Sequence, residues 1–261
     1  MNSKAGKRIG MQLAVTPYGE IKDIPYDLVI LPWGATEPHN YHLPYLTDCI
    51  LSEAIALDAA AQAEKNSGIK IMVLPPVAMG SQNPGQRNLP FCIHYRQETQ
   101  RAVLTDIVAS LYVQGIRKLV VINGHGGNSF KGMIRDLAFL YPDFLLAVSD
   151  WYTVERAEDY FEEKDDHAGE LETSVLMYYH PELVRLENAG SGRTKPFGIP
   201  GLNEKVAWVP RDWSKVSEDS GIGNPRKATA EKGGRFARAV TARYAGLFRD
   251  LVHRPLYEQP E

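Results

Sequence analysis

What most constrains the fold of this chain is an alternation: short apolar runs that read as strands take turns with longer segments of helical period. The runs are residues 27–32 (DLVILP), 69–76 (IKIMVLPP), 118–123 (KLVVIN) and 143–149 (DFLLAVS). Runs that are apolar at nearly every position suit strands buried on both faces, the condition of a parallel sheet. Parallel neighbours need crossover connections, and segments 50–65, 98–115 and 129–140 supply them as helices. In 98–115, Val103, Leu104, Ile107, Val108 and Leu111 recur at helical spacing. Two further helices are expected at 170–179, stopped by His180-Pro181, and at 228–252. The expected fold class is therefore α/β, with a mainly parallel central sheet covered by helices on both faces. In such folds ligands are held by loops at the carboxyl ends of the strands.

The chain has 261 residues, 44% of them hydrophobic and 23% charged, enough for one large domain over 1–261 with a core that needs no disulfide. Cys49 and Cys92 form no C-x-x-C pair and read as small buried residues. A net charge of −3 gives no footprint for nucleic acid and no polybasic membrane patch. Lys4, Lys7 and Arg8 are not followed by an apolar signal segment, and no run is long enough to span a bilayer, so a cytoplasmic location is expected. Residues 187–227 are rich in Gly, Pro, Ser and charge and carry Trp208 and Trp213. A connection this long in a compact domain is expected to be a lid or an oligomer contact.

Residues able to bind a divalent cation are concentrated after the strands. The segment LPWGATEPHNYHLPYLTD (31–48) holds Glu37, His39, His42 and Asp48. Glu37 and His39 are two apart, which puts both on one side of an extended segment. Asp48 opens a helix, so it is either an N-cap or a ligand. His125 stands among glycines in NGHGGN (123–128), where Asn123 could orient it or bind a substrate. The loop is neither a P-loop nor G-x-G-x-x-G. In DDHAGELETS (165–174), His167 and Glu170 share a helix face by their spacing of three, with Glu172 on roughly the opposite side. Asp165, Asp166 and Glu170 could equally be an acidic first turn answering the helix dipole. GIGNPRKATAEKG (221–233) carries no ligand and reads as a structured loop entering a helix. His and carboxylate donors suit zinc, manganese or iron. No G-x-S-x-G elbow is present. A metal-dependent hydrolase follows, with two cations activating water and a neutral His moving a proton to a leaving nitrogen.

Taken in order, GATEPHNYHLPYLTD, NGHGGN, HAGELETS and GNPRKATAEKG resemble the motifs of the creatininase (creatinine amidohydrolase) family over residues 31–233. The resemblance implies a three-layer α/β/α sandwich and a dinuclear site, usually zinc or manganese, cleaving a C–N bond of a cyclic or linear amide. It implies Glu37, His39, Asp48 and His125 as ligands, with Asp48 bridging, and His167 as acid/base. Trp151 is implied as a substrate-covering aromatic, and the assembly as a homo-oligomer, a hexamer in the family. Formamide hydrolysis and peptidase action are the nearest alternative chemistries. A metal-binding protein without catalysis is the alternative of another kind.

The chain departs from the pattern in three places. Gly127 stands where creatininases have a glutamate ligand, and Glu170 is expected to replace it. Pro38 and Asn40 stand where Gln and Gly are usual. Segment 80–94 (GSQNPGQRNLPFCIH) differs from the family's pocket-lining stretch, so creatinine is not the expected substrate. Arg87 within it, and His42 nearby, are expected to meet a substrate.

Overall fold

The computed structural model describes residues 9–164 and 166–257. Lys4, Lys7, Arg8 and Asp165 lie outside the described residues. After a short turn, α1 (Tyr18–Ile21), the chain enters β1 (Leu28–Trp33), α2 (Thr47–Ser67) and β2 (Ile71–Val73). It continues through α3 (Gln97–Val113), β3 (Lys118–Asn123), α4 (Lys131–Leu140) and β4 (Leu145–Asp150). Then come α5 (Glu170–Tyr179), the short α6 (Pro200–Asn203) and α7 (Trp213–Val216), and the long closing α8 (Ala230–His253).

The four strands form one parallel sheet in the order β2-β1-β3-β4. Side chains alternate across it as strand geometry requires. Leu28 and Ile30 of β1 and Val120 and Ile122 of β3 enter a core built with α2, α5 and α8. Val29, Leu31 and Trp33 of β1 and Leu119 and Val121 of β3 enter a second core built with α3 and α4. The sheet is thus the middle of three layers, an α/β/α sandwich. Among the described residues no helix is long and apolar enough to cross a membrane. Cys49 and Cys92 are unpaired and buried, and burial pushes both thiols up to about 12, so they stay neutral.

The strand order fixes where a ligand can sit. From β1 the chain goes to β2 on one side and then returns to β3 on the other, with α2 and α3 on opposite faces. The connections therefore diverge between the carboxyl ends of β1 and β3, opening a crevice at this switch point.

At the far end of the motif series, α8 crosses α5 at very close range. A Cβ on Gly233 would overlap the carbonyl oxygen of Ser174, so no other residue fits without moving the helices apart. Gly233→Ala should lower stability by roughly 1–3 kcal/mol, the usual cost of overpacking. Thermal unfolding would show this, and an unchanged midpoint would mean that the crossing tolerates a wider spacing.

Candidate metal centre

The loop after β1 delivers Glu37 and His39, the first turn of α2 delivers Asp48, and the loop after β3 delivers His125. All four are buried. Asp48 is not a cap: the N-cap position is Leu46, and no side chain caps the helix. Its Oδ1 lies 2.9 Å from His39 Nε2. His125 Nδ1 lies 2.7 Å from Glu37 Oε1 and 3.3 Å from Asp48 Oδ2. Close as they are, these contacts lack hydrogen-bond alignment, and among the described residues Glu37 Oε1 and Asp48 Oδ2 have no hydrogen-bond partner. Buried carboxylate oxygens left unbonded beside imidazole nitrogens are what ligands converging on a cation present.

The three imidazoles share one arrangement. His39 Nδ1 is 3.0 Å from the Glu37 carbonyl, His125 Nε2 2.9 Å from the Ser81 carbonyl, and His167 Nε2 2.9 Å from the Pro38 carbonyl. A backbone carbonyl can only accept, so each of these nitrogens donates. The opposite nitrogen of each ring is left facing the cluster, the orientation that metal-ligating histidines are given by their outer partners. His167 Nδ1 stands 3.9 Å from Glu37 Oε1, and its ring is 4.3 Å from that of His39, centroid to centroid.

Charge is distributed accordingly. Burial pulls His39 down, but the Asp48 carboxylate outweighs it and holds the ring at about 10. His125 is likewise raised well above its ordinary value, against burial, by Glu37 and Asp48. Glu37 and Asp48 are lowered despite burial, Glu37 chiefly by His125 and Asp48 chiefly by His39. His167 moves the other way: its burial outweighs the attraction of Glu37 and keeps it neutral.

Glu170 and Glu172 exchange the places expected of them. Glu170 is fully buried but outside the cluster; its Oε1 lies 2.6 Å from Lys232 Nζ, and its Oε2 accepts the N–H groups of Glu162 and Glu163. Glu172 instead groups with His39 and Asp48, their ligand atoms within 4.8 Å of one another. The expectation for Glu170 assumed a helix running through His167, and α5 begins only at Glu170. His167 sits in a bridge to Ile222, and Ala168 is left-handed at φ 53, so helical spacing does not hold between them. The Ala168 N–H is donated to Glu172 Oε2 at 2.6 Å. Gly127 cannot regain a ligand: a Cβ there would overlap Ser81 O and His125 Nε2.

Among the described residues, three groups could therefore hold cations: Glu37–Asp48–His125, His39–Asp48–Glu172 and Glu37–His39–His167. The first two share Asp48, whose two oxygens face different partners.

The residues expected to meet a substrate are placed differently. Trp151 is fully buried in the core, edge-on to Tyr152 and Phe236. The aromatic at the cluster is Trp213, only 4% exposed, its ring edge-on to His167 at 5.5 Å and its Nε1 donating to Ser220 O. Arg87 is exposed on the turn Gln86–Asn88; its neighbour Gln86 is buried and donates from Nε2 to Glu37 Oε2 at 2.7 Å. Asn123 organises its own loop, donating to His125 O and Asp150 Oδ1 and accepting from the His125 N–H. His42 is buried with Nε2 2.8 Å from Thr173 Oγ1, and burial, aided by His39, holds it at about 4, hence neutral. Trp213, Gln86 and Glu172 had faint signals in sequence: a tryptophan in a Gly/Pro-rich segment, a glutamine beside Arg87, and an acid inside an apolar helix.

Comparison with known proteins agrees with this architecture. The family model for creatinine amidohydrolase matches residues 17–248. A mycofactocin precursor peptide peptidase of Mycobacterium ulcerans is 30% identical over 220 residues, 81% of each chain. The crystal structure of a candidate creatinine amidohydrolase from Bacteroides fragilis is 60% identical, with a TM-score of 0.94 over 95% of this chain and 99% of that one. A mutant creatininase of the Zn-Zn type is 21% identical and superposes with a TM-score of 0.74 over 93% of this chain and 98% of its own, a likeness of fold.

Proposed function

The chain belongs to the creatininase family, and with it to the hydrolases acting on carbon–nitrogen bonds; from that premise we propose that it cleaves a small amide at a dinuclear centre. In this reading Glu37, Asp48 and His125 would hold one cation and His39, Asp48 and Glu172 the other, with Asp48 common to both. Zinc is the first choice for this nitrogen and oxygen donor set, with manganese or iron also accommodated. Such a pair supplies a Lewis acid for the carbonyl and a water of lowered pKa. The observation that carries the reading is the sharing of Asp48 between two buried donor groups, with its Oδ2 unbonded.

The chain's own residues do the rest. His167, neutral and aimed by Pro38 O, takes the proton of the attacking water at Nδ1 and returns it to the leaving nitrogen. Gln86 steadies the Glu37 carboxylate. Trp213, carried by the 187–227 segment, makes that segment a lid over His167. The same segment exposes Trp208 at 82%, a fitting contact for a homo-oligomer. Gln86 comes from the divergent 80–94 segment, which favours an amide other than creatinine. The likeness to a peptide peptidase adds short peptides to the substrates worth trying.

Metal content by elemental mass spectrometry tests the centre. About two equivalents per chain are expected, falling to about one in Glu172→Gln, as two three-ligand groups sharing one carboxylate require. One equivalent in both proteins would defeat the dinuclear reading. A panel of cyclic amides, formamides and short peptides then reads the chemistry by ring opening, formate or amino acid released.

A further inference from the structure

The GNPRKATAEKG motif supplies no candidate ligand, yet it grips the segment that carries two functional candidates. Lys232, in the first turn of α8, places Nζ 2.6 Å from Glu170 Oε1, 2.8 Å from Glu162 Oε1 and 3.0 Å from the Lys227 carbonyl. Glu170 Oε2 accepts the backbone N–H groups of Glu162 and Glu163, each at 2.8 Å. Lys227 closes the clasp from outside, 3.1 Å from a carboxylate oxygen of each of Glu162 and Glu163. Three pieces of chain are thereby joined: the loop before His167, the first residue of α5, and the start of α8.

The same motif, together with Ile222 just before it, holds both flanks of this segment. His167 exchanges backbone hydrogen bonds with Ile222, and the Thr229 N–H donates to Ser174 Oγ while its side chain caps α8. Between these anchors, Glu172 Oε2 is tied to the N–H of left-handed Ala168. The direction of the Glu172 carboxylate therefore depends on how Ala168 is held against the first turn of α5. That is the junction Glu170 clasps. A fully buried carboxylate without its cation would have to take up a proton or draw in water, and either change loosens the junction.

We infer that Lys232, acting through Glu170, is a positioning residue that sets Glu172 and His167 against the rest of the centre. The inference rests on reading Glu172 as a ligand of the second cation. Neither Lys232 nor Glu170 belongs to the donor groups of the centre, so a change at Lys232 reaches it only through the clasp.

The test is zinc titration of the full chain against a chromophoric chelator, with metal counting, for wild type, Lys232→Met and Lys232→Arg. Lys232→Met should keep one equivalent at wild-type affinity and bind the second roughly 10–100-fold more weakly, the range for loss of an outer partner. Lys232→Arg, which restores the cation, should recover most of that loss. A Lys232→Met protein that binds two equivalents as tightly as wild type, whatever its melting temperature, overturns the inference and leaves Lys232 a stabilising residue only. Should Lys232→Met fail to fold, Glu170→Gln reads the same loss, because its amide oxygen still accepts the two N–H groups. Fewer than two equivalents in wild type would instead overturn the dinuclear reading itself, and this inference with it.

Discussion

Asp48→Asn should leave a folded protein that holds less than one equivalent of metal and has lost activity on the order of a thousandfold, about 4 kcal/mol of barrier. Asp48 is shared by the Glu37–Asp48–His125 and His39–Asp48–Glu172 groups, and its oxygens face His39 on one side and His125 on the other. Asparagine matches its shape but turns one acceptor into a donor and removes the charge, so it cannot serve two cations. In the metal-free protein the same change takes away the carboxylate that holds buried His39 at about 10, so that ring would go neutral rather than remain an unpaired charge. Circular dichroism separates metal loss from unfolding. Full metal content in a folded Asp48→Asn protein would sink the bridging role.

His167→Gln should do the opposite: keep its metal and lose kcat by roughly 10²–10⁴, the contribution of a positioned acid/base. Glutamine can still donate to Pro38 O, so the loop keeps its anchor while the proton acceptor at Nδ1 is gone. The outcome also decides between two readings of the same side chain. His167 falls in a third donor group with Glu37 and His39, and were it a ligand, the variant would lose metal together with rate. Metal counting beside kcat tells the two apart.

Most of the layer structure was legible because strand and helix periods are local properties. The expected strand at 118–123 is β3 (Lys118–Asn123), and the expected helix at 170–179 is α5 (Glu170–Tyr179). The clustering of the candidate donors Glu37, His39, Asp48 and His125 was legible because each follows a strand end or opens a helix, and the two strands concerned flank the switch point. Asp48 alone was ambiguous, since a cap and a ligand look alike in sequence; only the position of His39 and His125 resolves it.

The errors share one cause. Glu170 was matched to His167 by counting along a helix, but the helix starts at Glu170, and the left-handed Ala168 swings His167 off its axis. Trp151 follows β4 as a substrate-facing aromatic would, but α8 closes over it and its ring meets Phe236. Arg87 and Gln86 are neighbours, and the turn that carries them decides which one is buried.

By itself, the sequence determined the strand–helix alternation, the parallel sheet that it requires, and most of the candidate donors, because these follow from side-chain periodicity and from what each residue can coordinate. Only the tertiary structure decided that Glu172 rather than Glu170 lies beside His39 and Asp48, that Trp213 rather than Trp151 stands against His167, and that Lys232 clasps the segment between. The reason is physical: where a side chain points depends on backbone angles at a few non-repeating positions and on contacts between residues far apart in the chain, and neither leaves a period to read.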